Sequence, residues 1–177
     1  ALFALDMMCD LGDGHVGIDR NRGSFSLSTG RTSGGFAEHG DIVAGNFRAS
    51  LSGAAASVWV SSLDGRDIVD SKRMLVSHLT DMQNTGARFA DSARTVVECL
   101  GRTPYLIRNG EARVAIRVSG REYAVSALET DGRRRRAVPC AVDGGWLRFS
   151  CQVAQDARQA TFLYEVVKVD RQEEGAR

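Results

Sequence analysis

Apolar and polar residues alternate along most of this chain, and each alternating run is short. Ser24-Phe25-Ser26-Leu27-Ser28 is the cleanest case. Successive side chains of an extended strand point to opposite faces, so each such run predicts a half-buried strand. Runs of this kind cover 22–29, 42–44, 47–51, 57–63 and 72–80. From Pro104 onward they form a regular meander: 105–108, 112–118, 123–128, 135–140, 146–153 and 161–169. Asn109-Gly110, Ser119-Gly120, Asp131-Gly132 and Asp143-Gly144 separate runs of this meander, and Asp64-Gly65 follows an earlier run. Such pairs reach the φ > 0 conformations of two-residue hairpin turns, glycine without a Cβ clash. Asn109-Gly110 and Asp131-Gly132 are expected at hairpin tips. The fold class is all-β: an antiparallel β-sandwich, immunoglobulin-like or jelly-roll-like, or a partly open barrel.

The remaining segments divide the chain. Residues 1–21 read as a loosely structured lead-in, with 16–18 a short extended piece. Residues 22–170 form the sandwich, and the charged residues 171–177 a frayed tail. The stretch 32–40 reads as a Gly-rich loop, and 81–92 as the longest irregular connection. Ala93, Val96, Val97 and Leu100 fit helical spacing, but Thr95, Val96 and Val97 are β-branched, so 93–100 is assigned to a strand. The predicted inward set includes Phe25, Leu27, Phe47, Leu51, Val58, Val60, Val76, Ile116, Phe149, Phe162 and Tyr164.

Length and composition narrow this little further. The 177 residues suit one domain with a core that needs neither disulfide nor metal. A net charge of +1 gives no global pull toward nucleic acid or an anionic membrane. No transmembrane run and no signal peptide is evident. The chain opens on Ala1 rather than an initiator Met, which suggests a piece of a longer polypeptide. Any targeting signal would then lie upstream, so localisation is not readable.

Candidate chemistry is sparse. Cys9, Cys99, Cys140 and Cys151 include no Cys-x-x-Cys pair, so no zinc site is expected, and no cofactor. Cys140 and Cys151 flank one turn; small buried hydrophobes are the plainer reading, a facing pair the other. Asp6, Asp10, Asp13 and Asp19 could offer oxygens to calcium, but solvated loop acids are the default and no metal is assigned. His78 and Asp81 could perform acid–base work, yet no nucleophile motif accompanies them. A structural His78 bonded to a backbone carbonyl is the simpler reading. The run Arg133 to Arg136 lacks interleaved aromatics. It suits an edge strand kept from pairing with another chain better than a nucleic-acid contact. Trp59 and Trp146, with Tyr105 and Tyr123, are the candidates for stacking on a sugar ring.

Two stretches carry a resemblance. One is Arg22 to Thr32, a strand ending in Thr29-Gly30-Arg31-Thr32. The other is Val58 to Gly65, ending in Ser62-Leu63-Asp64-Gly65, followed by Ser71 to Gly86. With the meander after Pro104, these resemble the C-terminal β-domain of large bacterial proteins that begin with a (β/α) barrel of glycoside hydrolase type. The resemblance covers most of 15–169. It implies a non-catalytic accessory β-domain packed on a catalytic barrel of the same polypeptide, with the catalytic carboxylates on that barrel and none here. Met82, Asn84 and Phe89 of the 81–92 connection are then the expected interdomain contacts, together with Leu2, Phe3 and Leu5. The alternatives are an autonomous carbohydrate-binding module that takes a glycan on Trp59 and Trp146, and a small hydrolase using His78 with Asp81.

Overall fold

Short strands carry the chain back and forth between two antiparallel sheets. The computed structural model describes residues 7–10, 14–156 and 159–169. In chain order the first strands are β1 (Met7–Asp10), β2 (His15–Asp19), β3 (Ser24–Ser28), β4 (Thr32–Ala37), β5 (Gly40–Ala44), β6 (Phe47–Ser52), β7 (Ala56–Ser62) and β8 (Arg73–Leu79). Then come β9 (Met82–Thr85), β10 (Arg88–Phe89), β11 (Val97–Cys99), β12 (Arg102–Ile107), β13 (Glu111–Arg117) and β14 (Tyr123–Leu128). The last are β15 (Arg134–Val138), β16 (Cys140–Asp143), β17 (Trp146–Gln152), β18 (Ala154–Asp156), β19 (Gln159–Ala160) and β20 (Leu163–Lys168). The large sheet runs β1-β2-β3-β4-β7-β8-β20-β14-β15, and the small one β16-β17-β13-β6-β5.

The core lies between the inner faces of these sheets. Val58, Val60, Val76, Tyr164 and Val166 of the large sheet meet Phe47, Val114, Ile116, Leu147 and Cys151 of the small one, all buried. Each such Val, Leu, Ile or Phe contributes about 1.5–3 kcal/mol by leaving water. The Tyr164 hydroxyl donates to the Gln152 carbonyl at 3.0 Å, so this large side chain is buried without an orphaned polar atom.

Several elements differ from the expectation, each for a physical reason. The sheet begins ahead of residue 22, because β2 pairs with β3 over five residue pairs from His15↔Ser28 to Asp19↔Ser24. The Gly-rich stretch is strand β4, not a loop. A Cβ on Gly35 would lie 2.0 Å from the Phe25 carbonyl oxygen, and one on Gly34 2.3 Å from that of Val58. Glycine is there to let three strands approach closely. The expected run 135–140 splits at Pro139, which has no N–H for a ladder; β15 joins the large sheet and β16 the small one.

The turns divide into two kinds. Gly132 (φ 87°) and Gly144 (φ 56°) sit at the tips of the β14–β15 and β16–β17 hairpins. Asn109-Gly110 is not a hairpin tip: it leads from β12 into β13 of the small sheet, while Ser119-Gly120 carries the chain across to the large one. Cys140 lies opposite Phe149, not Cys151, and both thiols are free. The tail 171–177 and residues Leu2, Phe3 and Leu5 lie outside the described residues.

Phe25 and Leu27 are not inward. Register aligns Ser26 with Gly35 and Gly35 with Val58 of the core, so the serines of β3 face the sandwich interior. Phe25 and Leu27 face out, on the side of Trp59; the Phe25 and Trp59 rings stand 6.2 Å apart. Leu51 and Phe162 are half-buried rather than enclosed.

Two substitutions test this packing. Ile116→Ala is expected to cost about 2–5 kcal/mol in urea denaturation, whereas Val43→Ala, on the solvent side, should stay within about 0.5 kcal/mol. Gly35→Ala should lower the unfolding midpoint more than Val43→Ala, because the Phe25 carbonyl would have to move.

Candidate functional site

The two stretches behind the resemblance meet at one corner. The Gly30 carbonyl accepts from Ile68 N–H and that of Arg31 from Ser62 N–H, both at 2.8 Å. Thr29 closes its own turn, with Oγ1 accepting from Thr32 N–H at 2.9 Å. Asp64 organises the β7–β8 connection. Its Oδ1 accepts from Ser62 Oγ and Ser71 Oγ at 2.9 Å each, and its Oδ2 from Lys72 N–H at 2.8 Å. The Lys72 N–H bond leads the causes that hold this carboxyl far below the usual carboxylate range. These partners of Asp64 belong to its own connection, so this geometry builds a corner.

His78 and Asp81 do not converge. His78 lies on the inner face, fully buried, and neither ring nitrogen finds a hydrogen-bond partner among the described residues. The expected bond from its ring to a backbone carbonyl is absent. Desolvation lowers its pKa to about 4. Asp81 is taken by Arg94, whose guanidinium donates to both carboxylate oxygens at 2.9 and 2.8 Å, and by Arg108 at 3.4 Å. The Arg94 bonds lead the causes that lower its pKa.

Residues 81–107, expected as a loop over 81–92 and strands over 93–100 and 105–108, form a bent ribbon in which only Val97–Cys99 of the first expected strand is extended. β9 pairs with β12, and β10 with β11. The bend falls where Gly86 (φ 74°) and Gly101 (φ 70°) lie side by side; a Cβ on Gly101 would meet the Thr85 carbonyl oxygen at 2.5 Å. Arg94, in the connection between β10 and β11, thereby returns to Asp81 at the root. At the root, Thr80 Oγ1 donates to the Arg108 carbonyl at 2.6 Å. Met82 is exposed; Asn84 is half-buried, its amide donating to the Leu100 carbonyl at 2.7 Å. Phe89 is half-buried, with the Arg94 guanidinium 5.5 Å from its ring centre. The most exposed apolar side chains of the ribbon are Leu100 at 73 % and, at 58 % each, Met82 and Tyr105; of these, Leu100 was not among the expected contact or binding residues.

The ribbon's root adjoins the outer face of the large sheet. Phe36, Ser57 and Leu79 border a cleft with Thr80, Asp81 and Arg108 there. On that face the register aligns Leu27, Gly34, Trp59, Ser77 and Leu163 in one row, and Ile18, Phe25, Phe36, Ser57 and Leu79 in the next. An antiparallel sheet that faces water usually shows it polar residues; this one shows it Phe, Trp and Leu. Glu165, a buried charge on the face, accepts from Arg73 Nε and Arg134 Nε, each at 2.6 Å. The Arg134 bond leads the causes that depress its pKa. The signal lies in β3, where serine alternates with Phe25 and Leu27, but alternation does not say which side faces water.

The arginine run disperses: Arg133 pairs with Asp131, Arg134 with Glu165 and Arg135 with Glu129. The two tryptophans lie on the outer faces of different sheets, so they make no common platform. Arg48 and Arg117 stand over the Trp146 ring at 4.8 and 5.8 Å. Among the described residues no group of three or more His, Cys, Asp or Glu side chains is placed to hold a metal ion, and no helix is long and apolar enough to cross a membrane. Asp6 and Asp13 lie outside the described residues; Asp19 accepts from Asn21 and Arg22 N–H.

The buried imidazole sets a pH dependence. With its pKa lowered in the folded state, His78 takes up a proton only on unfolding between about pH 6.5 and 4. Stability is complete above that window and falls through it by about 3 kcal/mol. Urea titrations of the wild type should show this slope, and His78→Leu should flatten it; an unchanged slope would assign the acid sensitivity to other groups. No family model, curated protein or solved structure matches this chain, so its function is argued from these surfaces.

Proposed function

We propose that this chain is a non-catalytic accessory β-domain of a carbohydrate-active enzyme, packed on a catalytic barrel of the same polypeptide. One observation carries the docking role: an apolar outer sheet face that continues into an apolar ribbon. Trp59, Phe25, Phe36 and Leu79 lie on the face, and Met82, Leu100, Tyr105 and Leu106 on the ribbon. Exposed large hydrophobics elsewhere are scattered, at Val43, Leu63 and Val169. Large apolar side chains left in water and gathered in one region in this way mark an interaction surface. Interfaces between domains of one chain commonly span about 600–1,500 Å². Glu165 fits the reading, since its charge is matched by two arginines before anything covers it. The carbohydrate-active parent is supported by the resemblance of 15–169 alone. Leu100 and Tyr105 join Met82, Asn84 and Phe89 as the contacts expected in the ribbon.

The test uses the isolated chain and a separately expressed barrel encoded upstream of it. By sedimentation the chain should bind that barrel, or self-associate weakly without it. Leu100→Ser with Tyr105→Ser should weaken either contact at least about tenfold. The urea midpoint should hold, because both side chains are already in water. Unchanged binding would remove the ribbon from the interface. Hydrolysis of an aryl glycoside by the isolated chain would overturn the non-catalytic reading.

A further inference from the structure

The outer face of the small sheet has the opposite character. Register sets Arg48 of β6 and Arg148 of β17 on either side of Ala115 of β13. Arg113 and Arg117 lie two residues before and after Ala115 on its own strand, hence on the same face. Ala115 is therefore the centre of a cross of four arginines. It is only 8 % exposed although it faces solvent, because long side chains stand around it. Between the arms of the cross are hydroxyls: Ser50 and Ser150 flank Arg113 on the neighbouring strands. Arg136, the last of the arginine run, borders the same depression.

These charges are held together with little to offset them. Among the described residues no carboxylate pairs with Arg48, Arg136 or Arg148. Arg113 reaches Glu111 only at 3.7 Å, and Arg117 donates to the Gly144 carbonyl at 3.2 Å. Asp41 and Asp143 stand at the margins of the face, opposite Ser50 and Trp146. Trp146 supports the cluster: its ring carries the guanidiniums of Arg48 and Arg117, which fixes them without neutralising them. Across two strand spacings the Cα atoms of Arg48 and Arg148 lie about 10 Å apart, and those of Arg113 and Arg117 about 13 Å. Roots at these spacings spread the positive charge over an open strip of sheet, which suits a ligand with several negative groups, and guanidinium forks match carboxylate and sulfate oxygens in pairs.

We propose that this face binds an acidic polysaccharide, a glycan chain bearing carboxylate or sulfate groups. The open sheet admits an extended polymer. Ser50 and Ser150 lie between the guanidiniums, where sugar hydroxyls would come beside the charged groups. Single-stranded nucleic acid fits less well. It needs successive aromatic faces for its bases, and the single aromatic ring here is engaged by arginine. The proposal does not depend on docking through the large sheet, which presents the other side of the sandwich. Either can fail while the other stands.

Affinity electrophoresis of the full chain tests it, in gels carrying polygalacturonate, heparin or neutral dextran. The chain should be retarded by at least one acidic polymer and not by dextran, and added salt should weaken the effect. Arg48→Gln with Arg148→Gln should reduce the retardation at least about tenfold in apparent affinity. Arg88→Gln with Arg121→Gln, which removes the same charge elsewhere, should preserve it. Ser50→Asp, an exposed change that adds a carboxylate beside the cross, should also weaken it, and serves if the double arginine variant does not fold. Three results would overturn the proposal: no retardation by either acidic polymer, equal loss in both arginine pairs, or retention by dextran. Equal affinity for an oligo-dT strand would make the face a general polyanion shelf and remove the glycan assignment.

Discussion

The inner faces of two sheets share one core, and that constraint governs everything else in the molecule. Val58, Val60 and Val76 must meet Phe47, Ile116 and Leu147, so register is fixed wherever these strands pair. With a period of two, fixing the inward residues also fixes which residues turn out. Burial dictates the first set and leaves the second open. The two outer faces of this chain have used that freedom in opposite ways. One presents Trp59, Phe25 and Leu79; the other presents Arg48, Arg113, Arg117 and Arg148. An apolar surface and a cationic one, back to back across a core two side chains deep, can engage two different partners at once.

The fold class was legible because alternation is a local signal. Positions such as Val58, Val60 and Ile116 announce their burial through their immediate neighbours. What alternation cannot supply is sign. In β3 the serines and the apolar residues are equally regular, and only the pairing of Ser26 with Gly35 and of Gly35 with Val58 decides which side is in. The same gap hid the cationic face. Each of its arginines sits in an apolar strand, as in Phe47-Arg48-Ala49 and Leu147-Arg148-Phe149, and reads alone as an ordinary solvent-facing charge. The cluster exists only once three strands are in register. The ribbon over 81–107 escaped for a related reason: its pairs are short and interrupted by bends, so no run is long enough to show a period.

Distinctive sequence and functional chemistry part company here. Thr29-Gly30-Arg31-Thr32 and Ser62-Leu63-Asp64-Gly65 are the most recognisable words in the chain, and they meet each other at a corner through backbone hydrogen bonds. A carboxylate with donors on both oxygens is chemically quiet, since its lone pairs are already committed. Such a corner gives two stretches far apart in sequence a structural role in each other's placement. His78 makes the complementary point: a histidine three residues before an aspartate is turned into the core, while the aspartate is turned toward Arg94.

The bidentate contact between Asp81 and Arg94 has a thermodynamic consequence for the ribbon. A two-stranded ribbon standing alone is marginal in water and would sample many shapes. Here the clasp returns the far end to the root, so the loss of conformational freedom is charged to folding and not to association. A partner that docked on Leu100 and Tyr105 would find them already arranged, and more of the contact free energy would remain as affinity. Pre-organisation of this kind lets a small, half-detached element act as a rigid one.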